Sequence, residues 1–151
     1  MAHYQKIIVM LLSALMLSAC SEEVVVKVPT DKPEYIGVWQ YKHDEFSNGV
    51  KVDNRLFAIY EDSTVSYKRC SKAQSSHTTV NAPEGVISKF SDNEIVVAAK
   101  VLFMSFDLDF VIDKVPYLDS GRWYMQMDGV LYTKLKEGEK SDHEHWDCGD
   151  N

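Results

Sequence analysis

Two aspartates in the second half of the chain have a spacing that could support acid–base chemistry. Asp107 and Asp109 alternate with apolar residues across positions 106–110, so on a β-strand they share one face about 7 Å apart. Carboxylates at such a separation can act as acid and base on a glycosidic bond. The same alternation also describes the solvated face of a half-buried strand. We favour the solvated face and predict no catalytic residue here.

The C-terminal tail concentrates residue types that bind metal ions. His143, His145, Asp147 and Cys148 form the pattern H-x-H-x-D-C, and imidazole with thiolate is a typical zinc ligand set. The spacing matches no structural zinc pattern, and Cys148 has a competing use in a disulfide. We therefore predict no metal and no other cofactor.

Other catalytic signatures are missing from the sequence. It contains no G-x-S-x-G, no H-E-x-x-H and no glycine-rich phosphate or dinucleotide loop. The 23 acidic residues outnumber the 16 lysines and arginines, giving a formal net charge of −7. An acidic chain lacks the basic surface that nucleic acids require. The sequence thus predicts a protein that is not an enzyme and does not bind nucleic acid.

The first nineteen residues are organised like an export signal. Lys6 precedes an apolar run from Ile7 to Leu17, and small residues lie just before Cys20. This run of about eleven residues is too short for a membrane-spanning helix, which needs roughly 20. We predict that residues 1–19 are a signal peptide that is removed.

Cys20 carries the most specific motif of the chain. The sequence Leu17-Ser18-Ala19-Cys20 resembles the lipobox of bacterial lipoproteins. This resemblance implies that Cys20 is acylated, becomes the new N-terminus and holds the protein to the membrane through its acyl chains. In the Gram-negative family an aspartate at the next position favours the inner membrane, so Ser21 implies the outer membrane. Residues 20–33, with several charges and two prolines, are predicted to be the lipidated N-terminus and a tether.

The two remaining cysteines suit an oxidising compartment. Cys70 and Cys148 form an even pair, which in an exported protein indicates a disulfide. The bridge would close a loop of nearly eighty residues and contribute on the order of 4 kcal/mol. Two separate free thiols are the alternative.

Alternation and turn signals predict an all-β domain over residues 34–136, followed by an acidic tail over 137–151. Asp128-Gly129 is the strongest hairpin signal, and Ser71–Pro83 is predicted to be a polar loop. The pattern favours a single small antiparallel β-barrel or sandwich. Val24–Val26 is a candidate additional edge strand. The other predicted strands are Tyr35–His43, Val50–Tyr60, Thr64–Cys70, Val86–Phe90, Glu94–Ala99, Leu102–Ile112, Arg122–Met127 and Val130–Leu135.

A second resemblance lies at the start of the predicted domain. Gly37-Val38-Trp39 is similar to the G-x-W of lipocalins and other calycins. It implies an up-and-down barrel with Trp39 at one end and a basic residue from a late strand, Arg122 or Lys134, packed on the indole. Trp39 as a core aromatic of another β fold is the alternative. The region around Trp39 and the segment 127–132 also resemble small envelope lipoproteins of no assigned role.

Two functional hypotheses follow. The first is a lipid-anchored envelope lipoprotein that acts as a non-catalytic binding module facing the periplasm, as a protein partner or an inhibitor. The second is a lipocalin-like carrier of an apolar ligand or lipid. A carrier needs an apolar cavity of a few hundred Å³, whereas a binding module needs an exposed patch. The apolar ligand face would comprise Phe106, Leu108, Phe110, Trp123 and Met125, with Met104 and Met127 beside them.

Overall fold

A single antiparallel sheet closes on itself in the computed structural model, which describes residues 25–45, 51–73, 76–101 and 104–139. Each strand pairs with the next along the chain, and β8 returns to β1. The all-β, antiparallel prediction is confirmed, and the ring is an irregular barrel. No helix in these ranges is long and apolar enough to cross a membrane. The strands are β1 (Gly37–Glu45), β2 (Lys51–Ile59), β3 (Thr64–Ala73), β4 (Ser76–Phe90), β5 (Glu94–Val101), β6 (Met104–Asp119), β7 (Arg122–Met127) and β8 (Val130–Lys134).

The hairpin between β7 and β8 follows from its turn residues. Asp128 and Gly129 have φ values of 49° and 73°, and Met127 pairs with Val130 around them. Positive φ at both central residues defines a type I′ turn, whose twist matches that of the flanking strands. The prediction of a hairpin at Asp128-Gly129 is therefore confirmed.

Strand β6 is longer than the predicted Leu102–Ile112 and changes partner along its length. Its residues Met104–Val111 pair with β5, whereas those from Ile112 onward pair with β7. The register with β7 shifts around Pro116, where proline is tolerated because the ladder is already interrupted. The first half of β6 has no paired strand on its β7 side within the described residues.

Large apolar side chains fill the barrel between its strands. Trp39, Phe57 and Tyr132 are completely buried although they come from β1, β2 and β8. Close packing of such side chains leaves few gaps larger than a water molecule. The same core includes Ile59, Val65, Ile87, Ile95, Val97, Met125 and Met127.

Two segments differ from their sequence predictions. The predicted polar loop Ser71–Pro83 forms most of a hairpin, in which Ser71 pairs with Thr78 and Cys70 with Thr79. The predicted tether 20–33 already contributes to the domain, because Val28 is buried in the core and Val26 packs against it. The packed domain thus begins before the predicted boundary at residue 34.

Candidate functional site

One end of the barrel, here called the closed end, is covered by the segment that precedes β1. Val28 N–H donates to Ser63 Oγ at 3.0 Å, and Val26 N–H donates to Ile87 O at 2.7 Å. Tyr35, in a single 3₁₀ turn (Pro33–Tyr35), is 1% exposed and packs edge-on against Phe90. Burial raises the pKa of Tyr35 to about 12, with the nearby carboxylates adding to the effect. These contacts shut this end against solvent.

Trp39 lies at the closed end, and Lys134 is the basic residue that packs on it. The indole N–H donates to Tyr35 O at 2.8 Å, and Lys134 Nζ lies 5.4 Å from the ring centroid. Lys134 also donates to Glu34 O at 2.9 Å, and burial lowers the pKa of its ammonium group. A Cβ on Gly37 would lie 2.5 Å from Lys134 Cε, so glycine makes room for the lysine.

Arg122, the alternative to Lys134 as the structural partner of Trp39, has a different role. Its guanidinium pairs with Glu139 at 2.9 Å, just beyond the C-terminal end of β8. Glu139 also accepts the Lys136 N–H at 2.9 Å, so the first residues of the predicted acidic tail fold back onto the barrel. Of the two basic residues considered for the indole, Lys134 is the one that reaches it, because the cross-strand register pairs Trp39 with Lys134.

The opposite end of the barrel, here called the open end, holds a charged cluster. Asp53, Arg55 and Arg69 are referred to below as the arginine–aspartate cluster. Arg55 donates to the Asp53 carboxylate from Nε at 3.1 Å and from Nη2 at 2.7 Å. Arg69 donates to the same carboxylate from Nε and Nη2, both at 3.1 Å. One carboxylate is thus held by two bidentate guanidinium groups.

The cluster lies inside the barrel. Arg55 follows the same alternation as the buried Phe57 and Ile59, and it is only 8% exposed. Its guanidinium carbon lies 5.7 Å from the Tyr41 ring centroid, a distance typical of a cation–π contact. Arg55 and Arg69 are directly opposite each other in the β2–β3 register.

Burial and pairing act in opposite directions on the charges of this cluster. Burial disfavours the ionised carboxylate of Asp53, but the hydrogen bonds and charges of Arg55 and Arg69 outweigh it and hold its pKa below the ordinary value. Burial similarly opposes the charge on Arg55, whereas Asp53 raises its pKa. Burial raises the pKa of the neighbouring Tyr132 and Tyr67. Asp53 and Arg55 therefore remain charged at neutral pH.

The predicted apolar ligand face divides between the packed core and the open end. Phe110 is 3% exposed, with its ring 4.7 Å from that of Phe57 and 4.9 Å from that of Tyr67. Met125 is fully buried, while Trp123 and Leu108 are partly buried against the core. The structure therefore does not unite the five predicted residues in one open cavity.

At the N-terminal end of β6, the predicted apolar ligand face is exposed: Phe106 is 37% exposed and the neighbouring Met104 is 69% exposed. Both follow the alternation of Phe110, which points inward at Phe57 and Tyr67. They lie further toward the end of the barrel at which the arginine–aspartate cluster is found, since Phe106 pairs with Ala99 near the end of β5. The open end therefore combines cationic groups from β2 and β3 with exposed apolar groups from β6.

The remaining candidates are dispersed or lie outside the described ranges. Asp107 and Asp109 are exposed on the outer face of β6, as the solvated interpretation predicts. Cys70 is 4% exposed in β3. Residues 25–45, 51–73, 76–101 and 104–139 contain no metal-binding group of three or more histidines, cysteines or acidic residues. Positions outside the described ranges include Cys20, Ser21, His143, His145, Asp147 and Cys148.

Two grooves lie on the outer surface of the barrel, away from the predicted ligand face. One, of about 480 Å³, is lined by residues of β4 and β5 with Tyr60 and Thr64. The other, of about 420 Å³, lies between Gly37 and the turn 136–139 beside Lys134. Neither contains a member of the arginine–aspartate cluster.

The arginine–aspartate cluster was missed in the sequence, although a signal for it exists. Asp53 and Arg55 precede Phe57 at two-residue intervals, and Arg69 follows Tyr67 in the same way. A charge in the alternation phase of buried aromatic residues indicates a charge directed inward.

No family model, curated protein or solved structure matches this chain.

Proposed function

We propose that this chain is a lipid-anchored lipoprotein of the bacterial envelope whose barrel is a non-catalytic binding module facing the periplasm. Cys20 carries the acyl chains, and Ser21 directs the protein to the outer membrane. The module engages an envelope protein partner through the open end. This proposal combines the lipobox resemblance with the contrast between the two ends of the barrel.

Exposed apolar residues occur at both ends of the barrel, and Leu118 at the far end of β6 is one of them. The observation that carries the binding proposal is that at the open end such residues follow the inward-facing alternation of Phe110 and are nevertheless exposed. The closed end is shut by Val28 and Tyr35, whereas Met104 and Phe106 are left 69% and 37% exposed. An exposed apolar group beside charges is typical of a surface that another molecule covers. The open end is therefore the best supported position for a partner.

A deep apolar cavity for a carrier has less support. Phe110 and Met125 would line such a cavity, but both are packed in the core beside Phe57 and Trp39. Opening several hundred Å³ there would require displacing these side chains, at a cost of several kcal/mol for each large residue removed from contact. The carrier hypothesis therefore ranks second.

The anchor is tested by replacing the lipidated residue in the producing bacterium. Cys20→Ser should abolish incorporation of labelled palmitate and leave the protein in the soluble periplasmic fraction. Cys70→Ser is the matched control, since it removes another cysteine and should keep both label and membrane association. Labelled, membrane-bound Cys20→Ser protein would refute the anchor.

The binding surface is tested with a photo-crosslinking amino acid at either end of β6. Phe106 lies toward the open end, and Leu118, 59% exposed, lies at the far end of the same strand. Irradiation of living cells should give a discrete protein adduct from position 106 and none from position 118. Equal labelling from both positions, or adducts from neither, would contradict a partner at the open end.

A further inference from the structure

We propose that the arginine–aspartate cluster is a recognition site for an oxyanion joined to an apolar group. The oxyanion, a carboxylate or phosphate, contacts the guanidinium groups of Arg55 and Arg69. The apolar group contacts Phe106 and Leu108 on β6. This inference rests on the proposed function and names the chemistry that the open end recognises.

The first support is an uncompensated charge. Arg55 and Arg69 are direct cross-strand neighbours, and like charges so placed repel each other. Asp53 is the only ion-pair partner of both among the side chains that the structure describes. One carboxylate between two guanidinium groups leaves a net positive charge inside a chain whose formal net charge is −7. An incoming anion would remove that imbalance.

The second support is the set of hydrogen-bond donors still available. Each guanidinium has five N–H groups in a planar fork suited to carboxylate or phosphate oxygens. Only Nε and Nη2 of each arginine donate to Asp53. The Arg69 side chain is 36% exposed, so its remaining N–H groups are accessible from the open end.

The third support is a buried hydroxyl whose proton has no acceptor. Tyr132 is completely buried, and its hydroxyl faces the Arg55 guanidinium, which can only donate, so the hydroxyl proton is given to none of the described residues. A buried donor left unsatisfied is unfavourable. A ligand oxygen reaching past Asp53 would supply an acceptor.

The fourth support is the apolar side of the open end. Phe106 is 37% exposed and Leu108 is half-buried, and both lie on the inward face of β6. Cationic groups on one wall and apolar groups on the other suit a ligand that carries both characters. A fully hydrated anion such as inorganic phosphate would contact only the cationic wall.

The alternative role of the cluster is purely structural, with Asp53 joining β2 to β3. Both roles predict that Asp53→Asn weakens the fold, but they differ in what the substitution does to anion binding. If Asp53 only joins the strands, the substitution weakens the fold and creates no anion affinity. If Asp53 occupies part of an oxyanion site, its neutralisation exposes both guanidinium groups and strengthens anion binding.

The test is calorimetric titration of the full chain, purified in a non-ionic detergent, with phenyl phosphate, inorganic phosphate and phenol. We expect phenyl phosphate to bind with a dissociation constant at or below about 1 mM, corresponding to roughly −4 kcal/mol. Inorganic phosphate should bind more weakly, and phenol should not bind measurably.

Four variants assign the binding to the cluster. Arg69→Gln should weaken phenyl phosphate binding about tenfold, as loss of a charged bidentate contact predicts. Arg122→Gln is the matched control and should leave binding unchanged, because Arg122 pairs with Glu139 near the closed end. Asp53→Asn should bind phenyl phosphate several-fold more tightly. Phe106→Ala should weaken phenyl phosphate but not inorganic phosphate.

Absence of saturable phenyl phosphate binding by both the wild type and Asp53→Asn would overturn the proposal, as would equal binding by Arg69→Gln and the wild type. Thermal unfolding of each variant shows whether it is folded, and Arg69→Gln keeps the test decisive should Asp53→Asn not fold. Loss of oxyanion binding with an intact cross-link from position 106 would reject the ligand class alone. Loss of both would reject the proposed function as well.

The oxyanion can belong to the protein partner or to a separate small ligand. Adding phenyl phosphate during cross-linking distinguishes these two sources. Suppression of the adduct from position 106 would show that the partner itself supplies the anionic group. An undiminished adduct, with calorimetric binding retained, would show that a separate small ligand occupies the cluster. Both results support an oxyanion site at Arg55 and Arg69.

Discussion

Replacing Asp53 by asparagine should destabilise the barrel substantially at neutral pH. The Asp53 side chain is 21% exposed, and its two partners, Arg55 and Arg69, are 9% and 36% exposed. Breaking a fully buried ion pair by removing one partner costs about 3–5 kcal/mol, because the remaining charge is left buried. Partial exposure of Arg69 and Asp53 lets water screen part of this cost. We therefore expect a loss of about 3 kcal/mol.

Thermal and urea unfolding followed by circular dichroism would measure the effect. A loss of about 3 kcal/mol corresponds to a fall in melting temperature of roughly 10 °C for a domain of this size. Asp107→Asn is the matched control, since Asp107 is exposed on the outer face of β6. We expect that control to remain within about 0.5 kcal/mol of the wild type.

The same measurement repeated across acidic pH tests the electrostatic cause. The pKa of Asp53 is lowered in the folded protein by the arginines. Its stabilisation is therefore complete above the unfolded-state pKa, about 3.9, and is lost as the pH falls through the lower folded-state pKa. The difference between wild type and Asp53→Asn should shrink in that window. A difference below about 0.5 kcal/mol at pH 7, or one independent of pH, would refute the reasoning.

Three further perturbations have outcomes set by single features. Gly37→Ala should cost more than about 1 kcal/mol by chemical denaturation, because Gly37 has φ 134° and an added Cβ would lie 2.5 Å from a lysine carbon. Gly121→Ala, where φ is 77° and nothing lies within 4 Å, should cost less; equal costs would contradict the steric explanation. Tyr35→Phe should be neutral or stabilising, since the Tyr35 hydroxyl is buried without a partner among the described residues. It should also reduce the loss of stability between about pH 10 and 12, because the wild-type pKa is raised to about 12; an unchanged alkaline profile would count against this. Reduction should add two protons to the mass and lower stability by about 4 kcal/mol if Cys70 and Cys148 are paired; an unchanged mass would exclude the bridge.

Alternation and turn chemistry were sufficient to predict most strands. Phe110 and Ile112 are buried, as their phase in β6 predicts, and Asp128-Gly129 forms its hairpin. The same alternation did not predict that Met104 and Phe106 are exposed. Periodicity predicts which side of a strand a residue occupies. Whether other residues bury that side depends on the register of the neighbouring strands, and β6 changes its partner strand at Ile112.

The polar segment 71–83 illustrates a different limit. Its serines and threonines indicate a loop by composition, yet Thr78, Thr79 and Val80 are β-branched residues that suit a strand. The long β3–β4 ladder supplies cross-strand partners for them, and these partners cannot be identified before the register is known. Likewise, the cluster at Arg55 requires β2 and β3 to be paired in one particular register.

If Cys20 carries the proposed acyl anchor, the attachment of Val26 to β4 determines how the barrel stands relative to the bilayer. Val26 N–H donates to Ile87 O at the closed end, and Cys20 is the proposed site of the acyl anchor. A chain of six residues reaches at most about 20 Å when fully extended. Such an anchor would hold the closed end close to the lipid headgroups and direct the open end, with Arg69 and Phe106, away from them. In that orientation, a partner in the periplasm would approach the open end directly, whereas a molecule lying flat in the same bilayer would have to leave the membrane to reach it.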